Sequence, residues 1–321
     1  MSRLQAVNKT HINFHETAGI SRFREPVTCG VPFPKGMLYR EDPIFLCDET
    51  SQSCPSQTYP LAFWPDQSVK WLLLDTQVEI KRNESKNYQL ARAQKQQNSN
   101  DGISVIKDDT DWIINTGSVL FHLDTQQFTP FRKVQTQSAE IVDAVGSGFE
   151  LVDDRGMVYI PVILEMKTEV CGHLRTSVKV EGKFQNEKGV CLAAFIARLH
   201  FYRQKSFVRI DFTLVNSRPA KHPGGLWDLG DPGSILFDDL TLKVKLVKSS
   251  YTRVEYSHDA AMPMSISKKQ DLLIYQDSSG SENWQSNIPI NRNGKILHKF
   301  KGFEVRSGNK IISHGHRANI L

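Results

Sequence analysis

Residues 216–239 gather the side chains best suited to act on a ligand. Arg218, Lys221, His222, Trp227, Asp228 and Asp231 fall in a segment with seven Gly or Pro residues between Pro219 and Gly233. Arg218 and Lys221 can pair a substrate carboxylate, the guanidinium as a planar fork and the ammonium as a point charge. The indole of Trp227 offers a flat stacking face. Asp228 and Asp231 can bond hydroxyls or a metal. A long loop of this kind between two strands usually carries function. The alternative is a packed loop whose polar groups serve its own backbone.

A second segment, residues 276–294, places Glu282, Asn283 and Trp284 near Arg292, which is flanked by Asn291 and Asn293. Planar hydrogen-bonding groups beside an indole suit a sugar ring. Asp277, Ser279, Ser281 and Glu282 faintly resemble a calcium loop, but Gly280 sits two places early and no helical pattern flanks it. His314 and His316 share one strand face, yet no third ligand is evident, so their pairing reads as coincidence. No nucleotide-binding glycine motif, GxSxG or HExxH occurs, and no cofactor or metal is expected. Trp64 and Trp71 flank the turn Pro65-Asp66-Gln67-Ser68. They could stack a sugar face or fill a core.

The 321 residues carry 40 Lys and Arg against 35 Asp and Glu, a net charge of +5. Most of that excess sits between Lys81 and Lys95, where Lys81, Arg82, Lys86, Arg92 and Lys95 face only Glu84. The rest is nearly neutral, so the charge is no nucleic-acid footprint. The longest apolar runs are too short to span a membrane. The first residues lack an apolar stretch and a small-residue cleavage site, and five cysteines are an odd, scattered set. These features predict reduced thiols and a cytoplasmic protein. Cys47 and Cys54 could still close a short loop or stand as two thiols beside a turn.

The elements that must position these residues are strands. Period-2 alternation dominates, and long helical periodicity is nearly absent. Residues 103–106, 112–115 and 119–123 form an expected meander, and 149–152 and 158–164 flank Asp153-Asp154-Arg155-Gly156 as a hairpin. Residues 175–184, 190–202 and 206–215 are three long strands joined by short polar turns, and 239–248 alternates again. The chain is therefore expected to be all-β, with a sandwich or barrel. The Gln- and Asn-rich stretch 93–101 reads as a linker. It divides a first domain, 1–92, from a second, 102–321.

Four blocks carry a resemblance: Gly30-Val-Pro-Phe-Pro-Lys-Gly36; Pro60-Leu-Ala-Phe-Trp-Pro-Asp-Gln-Ser-Val-Lys-Trp-Leu-Leu-Leu-Asp75; His222-Pro-Gly-Gly-Leu-Trp-Asp-Leu-Gly-Asp-Pro-Gly-Ser234; and Gln276-Asp-Ser-Ser-Gly-Ser-Glu-Asn-Trp-Gln285. In this order they resemble the N-terminal half of exo-rhamnogalacturonan lyase-like proteins. Gln67 departs from the Gly expected in its turn. The resemblance implies a small RIFT-type β-barrel, then a large antiparallel β-sandwich, then an (α/α) toroid that this chain lacks, as a shortened member would. It also implies β-elimination at a galacturonate next to rhamnose, acting on a uronic-acid-containing oligo- or polysaccharide in pectin degradation. That chemistry needs a donor on the C6 carboxylate, a base at C5 and an acid for the leaving oxygen. Arg218, Lys221 or Arg292 would take the first role and His222 the second. A non-catalytic carbohydrate-binding module is the competing expectation.

Overall fold

The computed structural model describes residues 5–92, 102–221, 231–247, 254–256, 265–267, 272–276, 290–291, 294–295 and 303–315. These residues contain strands and turns and no helix, as the alternation predicts. Two compact units emerge: residues 1–16, 21–217 and 235–247 form one, and residues 17–20, 218–234 and 248–321 form the other.

The first unit begins with seven strands: β1 (Gln5–His15), β2 (Arg22–Pro32), β3 (Ile44–Asp48), β4 (Ser53–Cys54), β5 (Ser56–Phe63), β6 (Val69–Ile80) and β7 (Ser85–Arg92). They make two antiparallel sheets, β1-β7-β3-β4 and β2-β6-β5. Alternation decides which side chains go inside. Leu72 and Leu74 of β6 are buried, and they pack with Val31, Leu46, Val69 and Leu90 into one core. Trp71 and Leu73 take the opposite face. In the β3–β4 register Leu46 lies opposite Cys54 and Cys47 opposite Ser53. Cys47 and Cys54 therefore project to opposite faces, and all five thiols are free.

The β5–β6 turn follows its sequence closely. Asp66 Oδ1 accepts from Ser68 N at 3.1 Å and Ser68 Oγ at 2.6 Å, and Gln67 N donates to Trp64 O. Gln67 sits at φ +67°, the left-handed region where glycine is unstrained. That conformation explains why a glycine is expected there.

The sandwich follows, with β8 (Ser104–Lys107), β9 (Asp111–Asn115), β10 (Leu120–Asp124), β11 (Lys133–Gln135), β12 (Glu140–Asp153), β13 (Val158–Val170), β14 (Arg175–Gln185), β15 (Cys191–Tyr202), β16 (Val208–Val215) and β17 (Phe237–Leu246). One layer runs β8-β9-β10-β11-β12-β17, and the other runs β13-β14-β15-β16. The layers join where the end of β12 pairs with the start of β13. Between them lies an aromatic core. Phe128 stacks on Phe149 and Phe195, Phe149 stacks on Phe212, and Phe121 tilts against Phe201. The expected hairpin at Asp153 forms, with Asp153 Oδ1 accepting from the backbone N–H groups of Arg155 and Met157.

In the second unit, β18 (Val254–Tyr256) pairs with β19 (Ser265–Ser267), and β21 (Ile290–Asn291) pairs with β22 (Gly294–Lys295). β20 (Leu272–Gln276), β23 (Phe303–Ser307) and β24 (Lys310–Gly315) form a three-stranded sheet.

Candidate functional site

The described part of the Gly/Pro-rich loop brings Arg218, Lys221 and Asp231 together. Asp231 accepts from Lys221 N through both oxygens, at 3.0 and 3.1 Å, and from Gly233 N at 2.6 Å. Asp231 O accepts from Ser234 N, and Arg218 Nη1 reaches Ser234 O at 3.3 Å. A Cβ on Gly233 would meet Pro219 O at 2.3 Å, so only glycine lets the two ends of the loop approach. The Asp231 carboxylate thus ties together the two described ends of the loop. The cationic heads of Arg218 and Lys221 sit at exposed positions beside that closure. His222, Trp227, Asp228, Glu282, Asn283, Trp284, Arg292 and His316 lie outside the described residues.

The two hairpin tryptophans part company. Trp64 donates its Nε1–H to Phe33 O at 2.9 Å, with Lys70 over its ring, as a side chain fixed in the fold does. Trp71 is 42% exposed and its ring lies 3.5 Å from where a Cβ of Gly30 would stand. The register puts Tyr59 opposite Leu73, on the face Trp71 shares, and Tyr59 is also exposed. Trp71 and Tyr59 thus leave two aromatic rings exposed on one face of this sheet, and an exposed ring can stack on an apolar face of a ligand.

Farther along the same strands, that face turns polar and buried. Gln57 and Thr28 both lie opposite Asp75 in register. Thr28 Oγ1 donates to Asp75 Oδ1 at 2.5 Å, and Arg175 Nε donates to the same oxygen at 2.6 Å. Gln57 accepts from the backbone N–H of Leu174 and of Arg175 and donates to Arg175 O. Gln77 donates to Arg203 O at 2.8 Å. Arg175 continues the chain of bonds into the sandwich. Its Nη1 donates to Ser177 Oγ at 2.7 Å and to His200 Nδ1 at 3.2 Å. Ser177 Oγ is 2.6 Å from the same ring nitrogen, and His200 Nε2 reaches Asp211 Oδ2 at 3.1 Å.

An accepting Nδ1 leaves the ring proton on Nε2, which donates to Asp211; the imidazole is neutral. Burial first, then the Arg175 charge, hold its pKa below the usual histidine value. Asp211 is held low by its bond to Arg209. Serine, histidine and aspartate in sequence suggest an activated nucleophile. However, Ser177 is 1% exposed and is already an acceptor for Arg175, so no substrate atom can reach it. The cluster is a clasp. Sequence reading missed it. Its signal was the phase of β6, which puts Asp75 and Gln77 on the face of Leu73, and His200 inside the mostly apolar β15. Among the described residues no group of three His, Cys, Asp or Glu side chains could hold a metal ion.

Comparison with known proteins bears on the barrel. Residues 10–93 match the family described as the PcRGLX-like N-terminal RIFT barrel domain. The first seven strands are a PcRGLX-like RIFT barrel. The expected likeness to exo-rhamnogalacturonan lyase-like proteins holds at this domain, and an antiparallel sandwich follows it. The chain is also 37% identical over 54 residues to the uncharacterized protein YetA of Bacillus subtilis (strain 168). That stretch is 17% of this chain and spans only 6% of YetA. Within the PcRGLX-like barrel, sheet β2-β6-β5 supplies both the aromatic surface at Trp71 and the polar half of the clasp.

Proposed function

We propose that this chain is the N-terminal β portion of a polysaccharide lyase that cleaves rhamnogalacturonan-type pectic glycans by β-elimination. The observation that carries the reading is the PcRGLX-like barrel at residues 10–93, followed by an antiparallel sandwich. In the reaction a base takes the C5 proton and the electron pair forms the C4–C5 double bond. The C4–oxygen bond then breaks, and an acid protonates the departing oxygen. Neutralising the C6 carboxylate acidifies C5. Arg218, Lys221 and Arg292 are the proposed donors to that carboxylate, and His222 the proposed base. Trp227, Asp228, Asp231, Glu282, Asn283 and Trp284 are the proposed contacts to the rest of the sugar. The partner is a uronic-acid-containing glycan, and the free thiols suit a cytoplasmic protein.

A second reading, a non-catalytic carbohydrate-binding module, is favoured by the exposed Trp71 and Tyr59 on the barrel. One experiment separates them: the 321-residue chain is incubated with rhamnogalacturonan oligosaccharides while the ultraviolet absorbance of the unsaturated uronate is followed. Product that disappears in His222→Ala supports the lyase reading with His222 as base. A folded chain that binds the oligosaccharide and releases no product overturns His222 as the base and leaves the chain as a binding module or as the β half of a lyase whose chemistry sits elsewhere.

A further inference from the structure

A polar cavity of about 450 Å³ opens on the sandwich, lined by Thr110, Asp124, Gln126, Gln127, Thr129, Arg132, Ala144 and Val145. Its volume is that of a small-molecule site, while its lining is far more polar than the usual apolar pocket. Such a lining suits a ligand that is itself covered with hydrogen-bonding groups.

The loop from Asp124 to Arg132 is held rigidly from beneath. Phe128 is 2% exposed, in the aromatic core. Phe128 N donates to Pro161 O, Ile163 N to Gln126 O, and Arg132 N to His122 O at 2.8 Å. Asp124 Oδ1 accepts from Gln126 N and Gln127 N. The opposite rim is a bulge in β12. Asp143 pairs with Lys245 and Gly148 with Lys243, so residues 144–147 stand out against a single β17 residue. Gly146 and Gly148, at φ +90° and +144°, permit it. Val145 N bonds Asp143 Oδ1, and Lys245 N bonds Ser147 Oγ. Both rims are therefore fixed before any ligand arrives.

What these rims present is uncommitted. The exposed guanidinium of Arg132 forms no hydrogen bond or ion pair with a described residue; its charge is felt only weakly at Asp108. Asp124 accepts the two amides of its own loop through Oδ1 alone. A planar, unsatisfied guanidinium matches a carboxylate. Carboxylate and amide oxygens match hydroxyls.

We infer that this cavity is a binding site for a sugar acid, the carboxylate taken by Arg132 and the hydroxyls by Asp124, Gln126 and Gln127. The inference does not rest on the lyase reading, since binding here needs neither elimination nor the 218–234 loop.

The test is calorimetric titration of the full chain with sodium galacturonate, galactose and sodium acetate. Galacturonate is expected to bind saturably, about tenfold or more tighter than either control. Arg132→Ala is expected to remove that advantage with its melting temperature unchanged, and Val145→Trp to block the rim. Absence of saturable galacturonate binding overturns the inference. So does equal affinity for galactose or acetate, or galacturonate affinity unchanged in Arg132→Ala. Elimination is read separately by product absorbance, so failure of one reading leaves the other standing.

Discussion

Arg175 Nε lies 2.6 Å from Asp75 Oδ1, an ion pair between residues 100 apart in sequence that joins the RIFT barrel to the sandwich. Their side chains are 7% and 4% exposed. Asp75 Oδ2 is buried with no hydrogen-bond partner among the described residues, so the pair's attraction offsets a real desolvation cost. Removing either partner strands the other. Arg175→Ala and Asp75→Ala are each expected to cost about 3–5 kcal/mol in denaturant unfolding. The double variant should cost clearly less than the two losses added together. Additive losses would show that the pair does not couple.

Protonation of His200 opposes the same clasp. In the unfolded chain a histidine titrates near about 6.5, while in the fold burial and then Arg175 hold His200 lower. Above the unfolded value both states are neutral and the group contributes nothing to the pH slope. As pH falls through that value, the unfolded chain takes a proton that the folded one refuses, so stability falls until the folded value is reached. His173 is shifted the same way, by burial first and then Arg203. Unfolding free energy should therefore decline from pH 7 to pH 5, and His200→Gln should flatten the decline while leaving the His173 share. An unaltered slope in that variant would remove His200 from the account.

Gln67 occupies a left-handed turn position without glycine's freedom. Gln67→Gly should raise stability by roughly 0.5–1 kcal/mol, the relieved strain exceeding the added freedom of the unfolded chain. Thermal melting of the two chains decides it, and a lower melting temperature for the variant would show the strain to be negligible.

Thiol reactivity should divide by environment. Burial raises the Cys54 thiol to about 11, which leaves about one in a thousand ionised at pH 8. Cys47 is buried and raised by the same cause, whereas Cys171 and Cys191 are exposed. Alkylation followed by mass spectrometry should label Cys171 and Cys191 well before Cys47 and Cys54.

How much of this was legible follows from what each feature depends on. The strands of the sandwich were readable because alternation and turn residues act locally: Asp153, Gly156 and Asp108 form the turns their types favour. The β5–β6 turn was readable for the same reason: Pro65-Asp66-Gln67-Ser68 forms the turn its residue types favour, with Ser68 donating to Asp66. The clasp was not, because it depends on which faces of β6 and β14 meet, and no local pattern encodes that. The cavity was hidden similarly. Arg132 belongs to an unremarkable loop, and only the β12 bulge opposite gives it a site. In the Gly/Pro-rich loop, composition announced a special structure. It did not say that Asp231 would be occupied by Lys221 N and Gly233 N.

The pairing of β12 with β17 also sets an order of assembly on the ribosome. β12 ends at Asp153, yet its outer edge stays bare until Phe237–Leu246 has been made. Until then a fourteen-residue strand shows unpaired amides to other nascent chains. The sandwich therefore cannot complete itself during synthesis of its own core strands, and any product ending before Phe237 should aggregate through β12 although every aromatic of the core is present.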